Sequence, residues 1–189
     1  MISWAVRALS LAPKLAARIR GAILGVAIRA AGGQCGRRLR VSDNVRFRQG
    51  LHAGIIIGND VYLGYETTVD CPLGGQLRLG NDVTLTQGVF ISAARNVSIG
   101  DGALVGEYSS IRDANHERAL SAGPIFSQPM RALGVAIAAD VWLGRGCAVL
   151  AGSNVGEGAV IGANSVVRGS IPANVIAAGV PARVLRERA

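Results

Sequence analysis

An aliphatic residue returns at every sixth position through most of this chain, and that period constrains the fold more than any other feature. The series consists of Ile57, Leu63, Val69, Leu79, Leu85, Ile91, Ile99, Val105, Ile111, Ile137, Leu143, Val149, Val155, Ile161 and Val167. A period of six fits neither the 3.6 residues of a helical turn nor the simple alternation of an ordinary strand. It fits short flat strands separated by tight corners, with each aliphatic side chain turned inward. The pattern therefore predicts a solenoid.

Three insertions interrupt the period, and each follows a third member of the series. They lie between Val69 and Leu79, between Ile91 and Ile99, and between Ile111 and Ile137. If three hexapeptides form one turn of a triangular prism, all three insertions leave from the same edge, and such insertions often mark a binding face. The longest, residues 112–134, contains His116, one of two histidines in the chain.

Charge is concentrated at the start of the chain. Eight basic residues and no acidic ones precede Asp43, and they account for the whole formal charge of +8. Residues 2–31 are predicted to form one or two amphipathic helices, with a break or new start near Pro13. We divide the chain into a helical segment, residues 1–35, and a β-helix domain, residues 36–189, with its long loop at 112–134.

The basic start suggests a solvated helix face, a partner subunit or an anionic lipid surface. Nucleic acid is not expected as a partner, because no aromatic platform or groove-reading motif accompanies the charges. Arginines interrupt the apolar stretches, so neither a membrane span nor a signal peptide is predicted. We expect a cytoplasmic protein, with peripheral contact to the inner face of the membrane through residues 1–31 as a hypothesis.

The cysteines and the second histidine are interpreted as structural. Cys35, Cys71 and Cys147 are too few and too dispersed for a disulfide framework and contain no C-x-x-C pair, so no metal is expected. His52 lies in an irregular first coil without a nearby ligand or base.

Three stretches of the chain resemble the hexapeptide-repeat acyltransferases, over about residues 57–188. They are Asp113–His116 in the long loop, Asp140–Gly144 at the start of the next coil, and the ending Val160–Val167 followed by Ala178–Val184. The chain is most similar to the sugar O-acetyltransferases of the galactoside and maltose type and of polysaccharide synthesis. This resemblance implies an all-β fold, a left-handed parallel β-helix, in a homotrimer with sites between subunits. N-terminal α-helices and a short C-terminal helix complete the predicted fold.

By the same resemblance His116 is the general base that removes a proton from the acceptor hydroxyl during direct attack on acetyl-CoA. Asp113, Asn115 and Glu117 are candidates to orient its imidazole, and we do not choose among them. A backbone amide near Gly144 or Arg145 is suited to stabilise the oxyanion.

The resemblance also implies a set of residues along acetyl-CoA. The candidates for cofactor binding are Trp142, Gly144, Arg145, Ala163, Arg168, Gly169, Arg183 and Arg186. Arginines suit the phosphates of the nucleotide end, because guanidinium pairs with them through two donors. The family often has a lysine in place of Gly169, which leaves that contact to Arg168. Thr86 and Gln87 are candidates for the acceptor pocket.

Several functions are compatible with these features. The first is O-acetyl transfer to a sugar or polysaccharide precursor. The same site could acetylate the nitrogen of an amino sugar. The third is a non-enzymatic β-helix scaffold, because fold alone does not fix function. That alternative leaves the long loop and the arginine-bearing tail unexplained.

Overall fold

A computed structural model of the chain describes residues 2–119 and 123–189, and most of its strands form three parallel sheets. The first sheet contains β1 (Gln34–Cys35), β4 (Ile55–Ile57), β7 (Gln76–Leu79), β10 (Asn96–Ile99), β15 (Val135–Ile137), β18 (Asn154–Val155) and β21 (Ser170–Ile171). The second contains β2 (Arg40–Val41), β5 (Tyr62–Leu63), β8 (Thr84–Leu85), β11 (Leu104–Val105), β16 (Trp142–Leu143), β19 (Val160–Ile161), β22 (Val175–Gly179) and β23 (Ala182–Glu187). The third contains β3 (Arg46–Phe47), β6 (Thr68–Asp70), β9 (Phe90–Ser92), β12 (Ser110–Arg112), β17 (Ala148–Val149) and β20 (Val166–Val167).

The chain visits the three sheets in turn, so each circuit is one coil of a parallel β-helix. All fifteen members of the six-residue series lie in these strands, and each has at most 2% of its surface exposed. Equivalent members pair in register, as Ile57 does with Leu79 and Leu63 with Leu85. The predicted solenoid, with three hexapeptides to a coil, is therefore confirmed.

Two edges of the prism carry most of the predicted site residues. The loop edge joins the third sheet to the first and contains the corners at 48–54, 71–75, 93–95, 113–134, 150–153 and 168–169. All three insertions leave from it, as predicted. The Arg145 edge joins the second sheet to the third and contains the corners at 42–45, 64–67, 86–89, 106–109, 144–147 and 162–165.

The Gly, Asn and Asp clusters form corners, as their chemistry predicts. Asp60, Asp82 and Asn164 each have a φ between 55° and 59°, a left-handed conformation that Asn and Asp tolerate. Neighbouring corners are also joined through side chains. Asp101 accepts hydrogen bonds from the amide of Asn81 at 2.8 Å and from its side chain at 3.1 Å. These bonds hold the pKa of Asp101 below its usual range.

One continuous helix, α1 (Ile2–Ala30), precedes the coils. The predicted break near Pro13 is wrong, because the helix runs through it. Proline removes one backbone donor and crowds the carbonyl one turn earlier, and the exposed position of Pro13 leaves that turn of the helix open to water. No helix in the described parts of the chain has an apolar stretch sufficient to cross a bilayer.

Helix α1 packs against the first coil through a face of small residues. A Cβ on Gly21 would lie well inside 3.0 Å of the Leu39 carbonyl, so only glycine permits this close approach. Ile28 is completely buried in the core. Arg20 donates to the Val41 carbonyl at 2.9 Å and forms an ion pair with Asp43 at 2.8 Å. The helix therefore covers the N-terminal end of the core.

The predicted short C-terminal helix is wrong, because this segment forms strand β23. It pairs antiparallel with β22 and so adds a last strand to the second sheet. The physical reason is that β22 ends the parallel stack and offers unpaired backbone groups, and satisfying them outweighs the local helix propensity of the segment. The chain after Pro172 thus folds back over the end, as expected.

We predict that Ile28→Ala lowers the free energy of unfolding by about 2–5 kcal/mol, because it leaves a cavity where the helix meets the core. Ile23 is the matched control on the same helix, since 65% of its surface is exposed. Ile23→Ala should change stability by less than about 0.5 kcal/mol. Urea denaturation of both variants measures the difference, and equal small losses would contradict the docking of α1.

Candidate active site on two edges of the solenoid

The long loop forms a β-hairpin that stands on the loop edge. Its strands are β13 (Ala114–His116) and β14 (Met130–Ala132), which pair antiparallel, and a 3₁₀ helix, Ile125–Ser127, precedes β14. The buried side chain of Gln128 holds the hairpin end together. It donates to the carbonyls of Ala119 at 2.9 Å and Gly123 at 2.8 Å, and it accepts from the Ala119 amide at 2.9 Å.

His116 lies at the end of β13 with its side chain exposed. Its Nδ1 is 3.3 Å from the backbone carbonyl oxygen of Gln128. A carbonyl oxygen can only accept a hydrogen bond, so this contact requires the proton on Nδ1. The neutral imidazole then carries its lone pair on Nε2. That is the arrangement required of a general base that takes a proton from a bound hydroxyl.

The carboxylate of Asp113 has a structural task instead of orienting the imidazole. It is completely buried and accepts three backbone hydrogen bonds, from Ala94 at 2.8 Å, Arg95 at 2.7 Å and Asn96 at 2.6 Å. These amides belong to the preceding corner of the loop edge. Asp113 therefore anchors the base of the hairpin to the corner that precedes it by one circuit of the chain.

In the described residues, neither of the other two candidates, Asn115 and Glu117, has a side-chain hydrogen bond to the imidazole. Asn115 points to the opposite side of β13 from His116, because side chains alternate along a strand, and it is paired with Arg131. Glu117 is half-buried, and its amide donates to the carbonyl of Pro129 at 2.9 Å. Sequence reasoning did not single out Gln128, whose contact with the imidazole runs through a backbone carbonyl.

A second group of predicted residues lies on the Arg145 edge. The second position of successive corners, directly after a threonine or a glycine, is occupied by the predicted residues Gln87, Arg145 and Ala163 and also by Glu107. The Nε of Arg145 is 3.7 Å from a carboxylate oxygen of Glu107, and its guanidinium lies 5.8 Å from the ring centre of Tyr108. Glu107 and Tyr108 were not predicted. Counting corner positions along the six-residue period would have placed both beside Arg145.

The backbone at Gly144 is already engaged in the coil. Its amide donates to the Ile161 carbonyl at 2.8 Å, and its carbonyl accepts from the buried hydroxyl of Ser109 at 3.1 Å. This leaves the Arg145 amide as the candidate oxyanion donor of the two. The hydroxyl of Thr86 likewise donates to the next coil, at the Val105 carbonyl, over 2.8 Å.

Trp142 and the terminal arginines continue this surface along the second sheet. Trp142 is 51% exposed and pairs with Leu104 on one side and Val160 on the other. Toward the C-terminal end of the same sheet, Val160 pairs with Ile176 and Ile176 pairs with Arg186. Arg183 pairs with Ala178. A bulge in β23 shifts the register between the last two of these pairs, so both arginines lie on the side of the sheet that carries Ile176 and Ala178.

The remaining candidates lie on the loop edge with His116. Arg168 is exposed, and the amide of Gly169 donates to the hydroxyl of Ser153 at 3.3 Å. The end of the hairpin is joined to this edge by the Gly152 amide, which donates to the Leu133 carbonyl at 2.9 Å. The predicted residues therefore form two groups within one chain. The third sheet separates the two edges by roughly 15–20 Å, the length of about five extended residues.

His52 and the cysteines have the structural character predicted for them. Both ring nitrogens of the buried His52 are used, Nδ1 by the Gly54 amide at 3.1 Å and Nε2 by the Cys71 carbonyl at 2.8 Å. Burial raises the pKa of Cys71 to about 11 and also raises the pKa values of Cys35 and Cys147. Within residues 2–119 and 123–189, no three His, Cys, Asp or Glu side chains are grouped as a metal site requires.

Comparison with known sequences shows clear relatives, although no protein-family model matches the chain. It is 36% identical over 140 residues to the putative lipopolysaccharide biosynthesis O-acetyl transferase of Escherichia coli, covering 70% of this chain and 71% of that protein. It is 35% identical over 136 residues to a probable acetyltransferase of Mycobacterium tuberculosis, covering 72% of this chain. The aligned part is 45% of the mycobacterial protein, so this chain spans less than half of that relative's length.

Solved structures share the fold. The hexapeptide-repeat acetyltransferase of Vibrio cholerae, complexed with acetyl coenzyme A, superimposes with a TM-score of 0.64 at 26% identity, over 72% of each chain. An N-acyltransferase of Bacillus cereus, in complex with dTDP and 3-hydroxybutyryl-CoA, gives a TM-score of 0.73 at 19% identity, over 85% of this chain and 86% of that one. At this identity the second likeness concerns the fold alone.

We predict that Asp113→Ala lowers the free energy of unfolding by about 2–4 kcal/mol, because three backbone amides lose the charged acceptor that the buried carboxylate supplies. Asp70→Ala is the matched control, since Asp70 forms only a partly exposed ion pair with Arg48 at 3.3 Å and should contribute at most about 1 kcal/mol. Thermal and urea unfolding measure both. If Asp113→Ala instead left stability unchanged and only slowed turnover, the anchoring role would be wrong.

Proposed function

The chain belongs to the hexapeptide-repeat acetyltransferases, and from that membership we propose that it transfers an acetyl group from acetyl-CoA to a hydroxyl group of a sugar or polysaccharide precursor. The E. coli relative, whose name states an O-acetyl transferase of lipopolysaccharide biosynthesis, supports the choice of a hydroxyl over an amine. By the same proposal the protein acts in the cytoplasm, where acetyl-CoA is available.

The exposed imidazole of His116 carries this proposal. With the Nδ1 proton directed to the Gln128 carbonyl, Nε2 is free to accept the proton of an acceptor hydroxyl. As that proton leaves, the hydroxyl oxygen forms a bond to the acetyl carbonyl carbon. The carbon–sulfur bond then breaks, and the imidazolium returns its proton to the departing thiolate. The products are an acetyl ester and free coenzyme A, without an acyl-enzyme.

The two anchors of the hairpin explain how the base is kept in place. Asp113 fixes the first residues of the loop, and Gln128 fixes its far end while its carbonyl sets the direction of the imidazole. An unanchored loop of this length would lose the position that proton transfer requires. For the oxyanion we propose the backbone amide of Arg145, because a fixed amide dipole stabilises charge that develops during attack.

Acetyl-CoA supplies the activated acetyl group, and the surface from Trp142 to the terminal arginines fits its shape and charge. The half-exposed indole and the neighbouring Val160 and Ile176 offer an apolar strip for the pantetheine arm. Arg183 and Arg186 lie at the far end of this strip, where they can pair with phosphates. Arg168 lies on the other edge and would reach the nucleotide only from a neighbouring subunit.

The separation of the two edges supports a homotrimer with sites between subunits. In a closed ring each copy meets its neighbour through two different surfaces, so the loop edge of one copy can meet the Arg145 edge of the next. The hairpin also presents Ile125, Phe126 and Met130 to solvent in a single chain. A neighbouring copy would cover these apolar side chains.

We predict that His116→Ala lowers kcat by ~10²–10⁴-fold, because it removes the general base. Binding of acetyl-CoA should stay within about twofold of the unmodified protein, since the base acts on the acceptor and not on the nucleotide. Calorimetric titration with acetyl-CoA and turnover on a panel of hydroxyl and amino sugars test both statements. Near-normal turnover by His116→Ala would rule out the mechanism.

We also predict that two inactive variants restore activity when they are co-expressed. Ala163→Trp blocks the Arg145 edge at an exposed corner, and His116→Ala disables the loop edge. In mixed rings about one interface in four joins two unmodified edges, so about a quarter of the activity should return. If each site were contained in one chain, every chain would carry one defect and the mixture would stay inactive.

A further inference from the structure

Helix α1 has a second apolar face that packs against nothing in the described structure. Leu15, Ile19, Ile23 and Val26 are between 53% and 65% exposed. With about 100° between successive residues, they form one stripe along the helix. The residues that face the first coil, among them Ala17, Gly21 and Ile28, lie about 180° round the helix from that stripe. The stripe therefore points directly away from the solenoid.

Cations border this stripe. Lys14 and Arg18 are exposed and lie together on one flank, between the buried face and the stripe. Arg29 lies on the same flank, but its guanidinium donates to the Cys35 carbonyl at 2.9 Å. The same flank forms one wall of a cleft of about 1340 Å³ between the helix and the first coils, where Arg37 and Arg40 also contribute. Two carboxylates, Asp60 and Asp82, line the cleft as well, and Asp60 is paired with Arg38. Cations outnumber acids in this region of the surface.

We propose that this face of α1 binds the surface of an anionic lipid membrane. The apolar stripe enters the boundary between headgroups and acyl chains, while the flanking cations contact lipid phosphates. An apolar stripe that is continuous along a helix, with basic residues beside it and no acidic residue before Asp43, has the charge and shape for such a surface.

A second copy of the chain fits this face less well than a lipid surface does. Two copies joined through α1 would bring the same group of cations together, and like charges at close range oppose association. An anionic bilayer supplies the opposite charge. The proposed contact is separate from the transfer reaction, because none of these side chains belongs to the proposed active site.

Flotation with lipid vesicles tests the proposal with the full chain and needs neither acetyl-CoA nor an acceptor. The protein should float with vesicles of phosphatidylcholine mixed with phosphatidylglycerol and should bind much less to phosphatidylcholine alone. Replacing the stripe by Ile19→Ser with Ile23→Ser should weaken binding by more than about tenfold, because two large apolar side chains are lost. Lys14→Gln with Arg18→Gln should weaken it by about 25-fold, at about fivefold for each cation.

The controls match each change elsewhere on the surface. Leu73→Ser removes a side chain that is 84% exposed in the corner at 71–75, and Arg78→Gln removes a charge on the first sheet. Both should bind vesicles as the unmodified protein does. Protein that stays unbound with anionic vesicles, or controls that weaken binding equally, would overturn the proposal. Light scattering gives the mass of the assembly for the unmodified protein and for the stripe variant. If the stripe variant forms a smaller assembly and the unmodified protein does not bind vesicles, the stripe contacts a second copy and the proposal is wrong.

Discussion

The stacking of inward aliphatic side chains at every sixth residue is the constraint on which the rest of this structure depends. Each coil buries its apolar side chains against its neighbouring coils, with α1 and β23 covering the two ends, so the core is a narrow, filled column. Such a column leaves no internal cavity for a substrate. Chemistry must therefore be placed outside the core, on corners, inserted loops and the surfaces between copies. The long hairpin is the main departure from the repeat, and it carries His116.

The general base that we propose at His116 lies on a loop, and such a base is useful only if the loop is held in place. The chain holds this loop with two buried polar side chains. The carboxylate of Asp113 accepts hydrogen bonds from three backbone amides of the preceding corner. The side-chain amide of Gln128 bonds the backbone of Ala119 and of Gly123, near the end of the hairpin. Neither residue needs to touch the substrate. Their loss would nevertheless move the imidazole, because the contact that sets its direction is a carbonyl within the same hairpin.

Sequence reasoning succeeded where one period controls the structure. The buried series, the coil of three strands and the common edge of the insertions all result from counting in sixes. It failed at both ends of the chain, where tertiary contacts override local preference. Pro13 does not interrupt a helix whose docking is secured at Gly21 and Ile28, and the terminal segment becomes β23 because the last parallel strand offers unpaired backbone groups. The contact between His116 and Gln128 could not be predicted, since a backbone carbonyl leaves no residue-type signal.

The solenoid also fixes how its surfaces lie relative to one another along its axis. Helix α1 covers the first coil, and the hairpin leaves the fourth, so about three coil spacings of ~4.8 Å separate them. If α1 rests on a bilayer, the base of the hairpin stands roughly 15 Å from the plane of the helix. If the axis of the solenoid is also normal to the bilayer, a sugar joined directly to a lipid headgroup would lie closer to the membrane than His116 does. The two proposals together therefore favour an acceptor sugar that extends several residues from its lipid.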